Sequence, residues 1–112
     1  MQMIEAVIKP AKVETVKAAV SRLGILVVPA FEVKGFGRQK RHTERYRGAR
    51  MDVGFVPKVM IKIAVRDEDL DKALDTIVSN ARTGEVGDGK IFVYPITKSI
   101  RIRTGEENDE AL

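Results

Sequence analysis

The sequence predicts an α+β domain built from two βαβ halves, and three observations predict it. Segments of alternating apolar residues flank two stretches in which apolar residues recur at helical spacing. A long polar segment without any apolar period separates the halves. The chain has 112 residues, 44% of them apolar and 32% charged, which suits one globular core and leaves no room for a second.

The elements follow in order. Residues 3–9 alternate loosely, with Ile4, Ala6 and Ile8 on one face, and predict a strand. Pro10 suits the first turn of a helix, where its missing N–H costs nothing. Val13, Val16, Val20 and Leu23 recur at helical spacing, and Gly24 is a natural stop. Residues 25–36 return to β-like composition, Phe31 and Val33 alternating with Glu32 and Lys34, while Pro29 points to a bulge or an edge. Residues 37–55 are polar and basic, and a loop of that length in a compact domain is functional or disordered. From Lys58 the alternation returns, Val59, Ile61, Ile63 and Val65 against Lys62 and Arg66. Asp67 is then expected to cap a helix, with Glu68 and Asp69 in a first turn whose dipole favours acids. Leu70, Ala73, Leu74, Ile77, Val78 and Ala81 form its apolar stripe. Residues 82–90 read as a glycine-rich loop and 91–96 as a strand. Residues 99–103 have the composition of a fifth strand, and the acidic residues 106–112 are expected to fray. Two βαβ halves paired antiparallel give the ferredoxin-like βαββαβ split fold: a four-stranded antiparallel sheet with two helices on one face, and a long loop between its second and third strands.

Composition removes several functions. The absence of cysteine excludes disulfides, thiolate zinc sites and a cysteine nucleophile. A single histidine, His42, weighs against His-rich metal sites and a Ser-His hydrolase. No apolar run approaches the roughly 20 residues of a membrane helix. No basic segment followed by an apolar run opens the chain, so a cytoplasmic protein is expected. The net charge of +4 and the pI near 9.5 invite a nucleic-acid reading. Aromatic residues at 5% are few for single-strand stacking. Between Arg38 and Arg50, however, six basic residues stand against Glu44 alone, a net +5, so the rest of the chain sums to −1. The basic character belongs to one loop.

Three constellations can carry chemistry. In Lys34-Gly35-Phe36-Gly37-Arg38-Gln39-Lys40, glycines beside cations can bring backbone N–H groups to phosphate oxygens, although the same run also reads as a strand ending in a flexible turn. Its first four positions match an RNA-recognition signature, but arginines occupy positions 38 and 41, where stacking aromatics belong, and the run ends the second strand rather than lying on the third. In residues 82–90, Gly84, Gly89 and Lys90 match G-x-x-x-x-G-K. Ile91 replaces the magnesium-holding hydroxyl, and a strand follows instead of a helix, which argues against a P-loop. Three glycines and a lysine leave phosphate binding by another geometry open, beside an ordinary helix cap and turn. Arg101 and Arg103 would share one face of a strand, where they want an anion or form a charged, solvated edge. Gln39 and Lys58 are unremarkable alone. The acids Asp67, Glu68, Asp69, Asp71 and Asp75 read as capping and solvated surface rather than a metal site.

Together these blocks resemble the PII nitrogen-regulatory signalling proteins. The resemblance runs from Met1 to Gly105. It is strongest over 32–40, Tyr46-Arg47-Gly48, Pro57-Lys58-Val59, 81–84, 87–93 and 100–105. It implies a homotrimer of ferredoxin-like subunits with a projecting T-loop (37–55), a B-loop (82–90) and a C-terminal loop and tail (98–112). It implies ATP or ADP in clefts between subunits. Gly35, Phe36, Gly37 and Arg38 would line the cleft, Gly87, Asp88, Gly89 and Lys90 would cradle phosphates, and Val7 and Ala64 would wall the adenine. Arg101 and Arg103 would reach in from a neighbouring subunit. Gln39 would hold magnesium on ATP together with 2-oxoglutarate, and Lys58 would pair with a 2-oxoglutarate carboxylate. Through its T-loop the protein would regulate a partner: a membrane transporter, or an enzyme or regulator of nitrogen metabolism. Nucleic acid and membrane insertion are not expected.

The chain departs from relatives at three positions. Met51 stands where many carry a modified tyrosine, Ala49 where some carry a phosphorylated serine, and Pro29 where a threonine is common. Two other classes compete. One is a nucleic-acid-binding ferredoxin-like module using the basic loop. The other is a small ATP-hydrolysing enzyme, for which the loops offer no evident general base beyond Glu85 and Asp88.

Overall fold

The computed structural model describes residues 1–25, 29–35, 43–46, 49–52 and 56–112. Along the chain run β1 (Gln2–Ile8), α1 (Val13–Ser21), β2 (Ala30–Gly35), β3 (Thr43–Tyr46), β4 (Ala49–Asp52), β5 (Val56–Val65), α2 (Leu70–Ala81) and β6 (Gly89–Pro95). The main sheet has the order β2-β5-β1-β6, and every neighbour in it is antiparallel. Each βαβ half therefore straddles a strand of the other, which is the ferredoxin-like fold.

Alternation places the core. Ile4, Ala6 and Ile8 of β1 and Ile61, Ile63 and Val65 of β5 share one face, with Ile4 opposite Ile63 and Ala6 opposite Ile61. Val16 and Val20 of α1 and Ala73, Ile77 and Ala81 of α2 cover that face. Each large side chain so buried contributes roughly 1.5–3 kcal/mol. Pro10 opens a 3₁₀ turn that leads into α1, and Gly24 beyond the helix has φ of 90°. Pro29 precedes the edge strand β2, and its carbonyl accepts the Lys62 N–H at 3.2 Å. Among the described residues no helix is long and apolar enough to cross a membrane.

Five expectations need correction. Residues 37–55 are not all loop, because β3 and β4 pair antiparallel from Thr43 opposite Asp52 to Tyr46 opposite Ala49. Strands of four residues without apolar alternation leave no periodic signal. Residues 99–103 are not a strand. They enter a turn closed by the Gly105 N–H on the Arg101 carbonyl (2.8 Å) and the Arg101 N–H on the Glu106 carbonyl (2.9 Å). Residues 106–112 are folded back, with Lys98 paired to Glu107 at 3.3 Å and the Asn108 N–H on the Ser99 carbonyl at 2.7 Å. Asp67 does not cap α2. Its carboxylate takes the Met1 ammonium at 2.8 Å and the Gln2 amide at 3.2 Å, because Gln2 and Val65 are register partners. Gly89 and Lys90 open β6 instead of closing the loop.

Ile77 is fully buried, whereas Val86 is 56% exposed. Ile77→Ala is expected to lower stability by about 2–5 kcal/mol, and Val86→Ala by less than about 0.5 kcal/mol, in urea unfolding followed by circular dichroism.

Candidate functional site

The antiparallel order brings the C-terminal ends of β1 and β2 and the N-terminal ends of β5 and β6 to the same end of the sheet. Gly35 ends β2 there, opposite Val56, and Lys58 stands opposite Val33. Val7 pairs with Lys90 and Ile8 with Gly89. At Gly89, with φ of 107°, an added Cβ would lie 1.8 Å from the Val7 carbonyl oxygen. Glycine at this position is what lets the 82–90 loop enter the sheet beside Val7.

A hydrogen-bonded network fixes that loop. The Asp88 carboxylate accepts the N–H groups of Thr83 (2.8 Å) and Gly84 (2.9 Å) and the Thr83 hydroxyl. Lys9 lies 3.3 Å from Asp88 and donates to the Thr83 hydroxyl at 3.1 Å. The Thr83 hydroxyl and backbone bonds, joined by those from Gly84 and Lys9, hold the Asp88 carboxyl well below the usual carboxylate range. Lys58 is 7% exposed and donates to the Gly87 carbonyl. Burial, and then the nearby Lys9 charge, push its ammonium down from the ordinary lysine value, while Asp88 opposes the shift. The result is a buried ammonium on a neutral carbonyl, with a second cation beside it.

The opposite end of the sheet carries the other candidates. Ala64 pairs with Met3, four positions from Val7 along β1, or about 13 Å at strand rise. Ala64, Pro29 and Arg101 line a cavity of about 880 Å³ that also takes in Lys62, Arg66 and Lys72. Arg101 donates to Glu106 at 2.9 Å and to the Leu112 carbonyl at 3.3 Å. Arg103 is exposed in the same turn. One chain thus gathers Val7, Gly35, Lys58, Gly87, Asp88, Gly89 and Lys90 at one end, and Ala64, Arg101 and Arg103 towards the other. Phe36, Gly37, Arg38 and Gln39 lie outside the described residues, as do Lys40, Arg41, His42 and Arg47.

The described residues leave much of the sheet face away from the helices open. Phe31 and Phe92 are 49% and 53% exposed. Between them Glu5 pairs with Lys62 at 3.1 Å and accepts the Tyr94 hydroxyl at 2.7 Å. The Tyr94 hydrogen bond and then Lys62 lower the Glu5 carboxyl, and the same bond raises the Tyr94 phenol.

Sequence reasoning missed Lys9, Thr83 and Glu106. A threonine five residues before an aspartate across a glycine-rich turn was the available signal for Thr83. Lys9 carried none, because it meets Thr83 only through the β1–β6 pairing.

The family model described as Nitrogen regulatory protein P-II matches residues 1–106. The chain is 53% identical over 112 residues to a "Nitrogen regulatory protein P-II" of Pasteurella multocida, covering 100% of both chains. It is 54% identical, again over 100% of both chains, to a protein of that name from Klebsiella oxytoca and to the "Nitrogen regulatory protein P-II 1" of Escherichia coli K12.

Two outcomes check this geometry. Gly89→Ala should destabilise the protein by more than about 1 kcal/mol in urea unfolding, since the new Cβ meets backbone. Asp88 has a depressed native pKa, so its contribution to stability is complete above about pH 4 and is lost as pH falls through the native value. Asp88→Asn should therefore lower the melting temperature at pH 7 and flatten its decline between about pH 4 and pH 2.

Proposed function

This chain belongs to the nitrogen regulatory protein P-II family, and on that premise we propose that it is a non-enzymatic cytoplasmic sensor of ATP or ADP and 2-oxoglutarate that signals through its T-loop. The observation that carries the reading is Lys58. Its buried ammonium, destabilised by desolvation and by Lys9, has a neutral carbonyl as acceptor. A carboxylate would satisfy it better, and a dicarboxylic oxo-acid supplies one. The glycine-rich turn beside it is already set by Asp88, which supports phosphate contacts from Lys90 and the turn's backbone.

In this reading Lys58 takes a 2-oxoglutarate carboxylate, and Gln39 holds magnesium with ATP. Magnesium, when bound, supplies a hard cation that accepts phosphate and oxo-acid oxygens alike. Gly35, Phe36, Gly37 and Arg38 border the nucleotide at the T-loop base, and Gly87, Gly89 and Lys90 at the B-loop. Asp88 acts there by holding the loop, because its carboxylate is already committed to Thr83, Gly84 and Lys9. Val7 and Ala64 sit too far apart on one sheet to wall the same adenine, and Arg101 and Arg103 are on the Ala64 side. The separation supports a site completed by a second copy, as in a homotrimer. The exposed Phe31 and Phe92 support association through the open sheet face.

The T-loop then reports ligand state. Each ligand shifts its conformations only by its differential affinity for them. The cluster of basic residues between Arg38 and Arg50 fits an acidic protein surface, on a transporter or on an enzyme or regulator of nitrogen metabolism. Met51 and Ala49 lack the hydroxyls through which some relatives are modified, which leaves ligand control at those two positions.

Calorimetry with ATP, ADP and 2-oxoglutarate, with and without magnesium, tests the reading. Binding of both nucleotides is expected, with 2-oxoglutarate bound only alongside magnesium and ATP. Absence of nucleotide binding would sink the proposal, and tight, salt-sensitive RNA binding would replace it. Gln39→Ala and Lys58→Met should each weaken 2-oxoglutarate by about ten-fold or more, as for a lost charged contact, and leave ADP nearly unchanged. Equal losses for the two ligands would contradict the assigned roles.

A further inference from the structure

We propose that Glu106 is a built-in counter-anion to Arg101 that sets how strongly the adjoining cavity attracts phosphate. The inference rests on the nucleotide reading above and deepens it. The Arg101 guanidinium donates through Nη1 to Glu106 Oε1 at 2.9 Å and through Nη2 to the Leu112 carbonyl at 3.3 Å. These bonds fix its plane without using all its donors. Both side chains of the ion pair are 40% exposed, so a ligand can reach the guanidinium while Glu106 stays in place.

The pairing is held by the chain. The Glu106 carbonyl takes the Arg101 N–H at 2.9 Å, and the Glu106 N–H meets the Thr104 hydroxyl at 3.3 Å. The returning segment is tied down by Lys98 on Glu107 and by Asn108 on Ser99. Glu106 is therefore carried by a closed turn to one of the two guanidiniums that line the cavity beside Ala64 and Pro29, though it does not line the cavity itself. The other charged groups there are Lys62, Arg66, Lys72 and Asp69. Arg101 is presented to the cavity already paired with an acid.

An incoming phosphate competes with Glu106 for that charge. The competition weighs more on a ligand with more negative charge, so Glu106 holds back a triphosphate more than a diphosphate. It acts through Arg101 and is a specificity-determining residue that need not touch the ligand.

Glu106→Gln separates charge from geometry, because glutamine keeps the Oε1 acceptor and loses the charge. In calorimetry at low salt, Glu106→Gln should tighten ATP by about three-fold and ADP by less, as expected for a partly exposed pair. The gain should shrink as salt rises. Glu106→Ala, which also frees the guanidinium, should gain less than Glu106→Gln. Glu107→Gln makes the same change in net charge next to Lys98 and should leave the ratio of ATP to ADP affinity unchanged. A Glu106→Gln protein that binds ATP no more tightly than wild type, or one matched by Glu107→Gln, overturns the inference while wild-type binding keeps the nucleotide reading. Wild-type protein that binds neither nucleotide overturns both.

Discussion

The arrangement depends on one close approach, that of the Gly89 backbone to the Val7 carbonyl. Any side chain at position 89 would occupy space already held by that carbonyl. With glycine there, β6 enters the sheet in register with β1 at its first residue. The glycine-rich turn is then pulled against the sheet end, where the Gly87 carbonyl reaches Lys58 and Lys9 reaches Thr83 and Asp88. Asp88 takes the N–H groups of Thr83 and Gly84, so the turn has its shape without a ligand, which would reduce the ordering cost of binding one. One desolvated charge is left at this end of the sheet. Lys58 is the one buried charged residue among those described, and it faces a weaker acceptor than a carboxylate.

The two ends of the sheet are built differently. At the B-loop end, backbone groups and two lysines converge. At the other, a cavity with several cations is bordered by a C-terminal turn that brings its own acid to Arg101. Antiparallel pairing keeps these ends apart within a chain, since Val7 and Ala64 belong to register pairs four steps distant. A ligand that used both would have to bridge copies, which links occupancy to assembly. The uncovered face with Phe31 and Phe92 and its internally paired Glu5, Lys62 and Tyr94 is suited to burial, because its charges are already matched.

The regular elements were legible because their signal is local. Ile4, Ala6 and Ile8, the run from Val59 to Val65, and the stripe from Leu70 to Ala81 carry their period on their face, and their buried sides are the ones that period marks. What was not legible is non-local. Asp67 looks like a helix cap until β1 delivers the Met1 ammonium to it. Residues 99–103 have strand composition, but the partner they find is the returning tail, through Ile100 and Glu107. Asp88 reads as a phosphate neighbour by position, and only the folded turn gives it Thr83, Gly84 and Lys9. Glycine at 84, 87 and 89 was visible, but the carbonyl that demands it at 89 was not.

A mixed-oligomer experiment tests the central claim most directly: that the B-loop of one copy and Arg101 of another make a single nucleotide site. Chains carrying Lys90→Ala and chains carrying Arg101→Ala, each defective in ATP binding alone, would be unfolded, mixed and refolded together. Random assembly should restore wild-type affinity at about one site in four. No recovery in the mixture, with both single variants folded and defective, would place the two groups in separate sites and contradict the account.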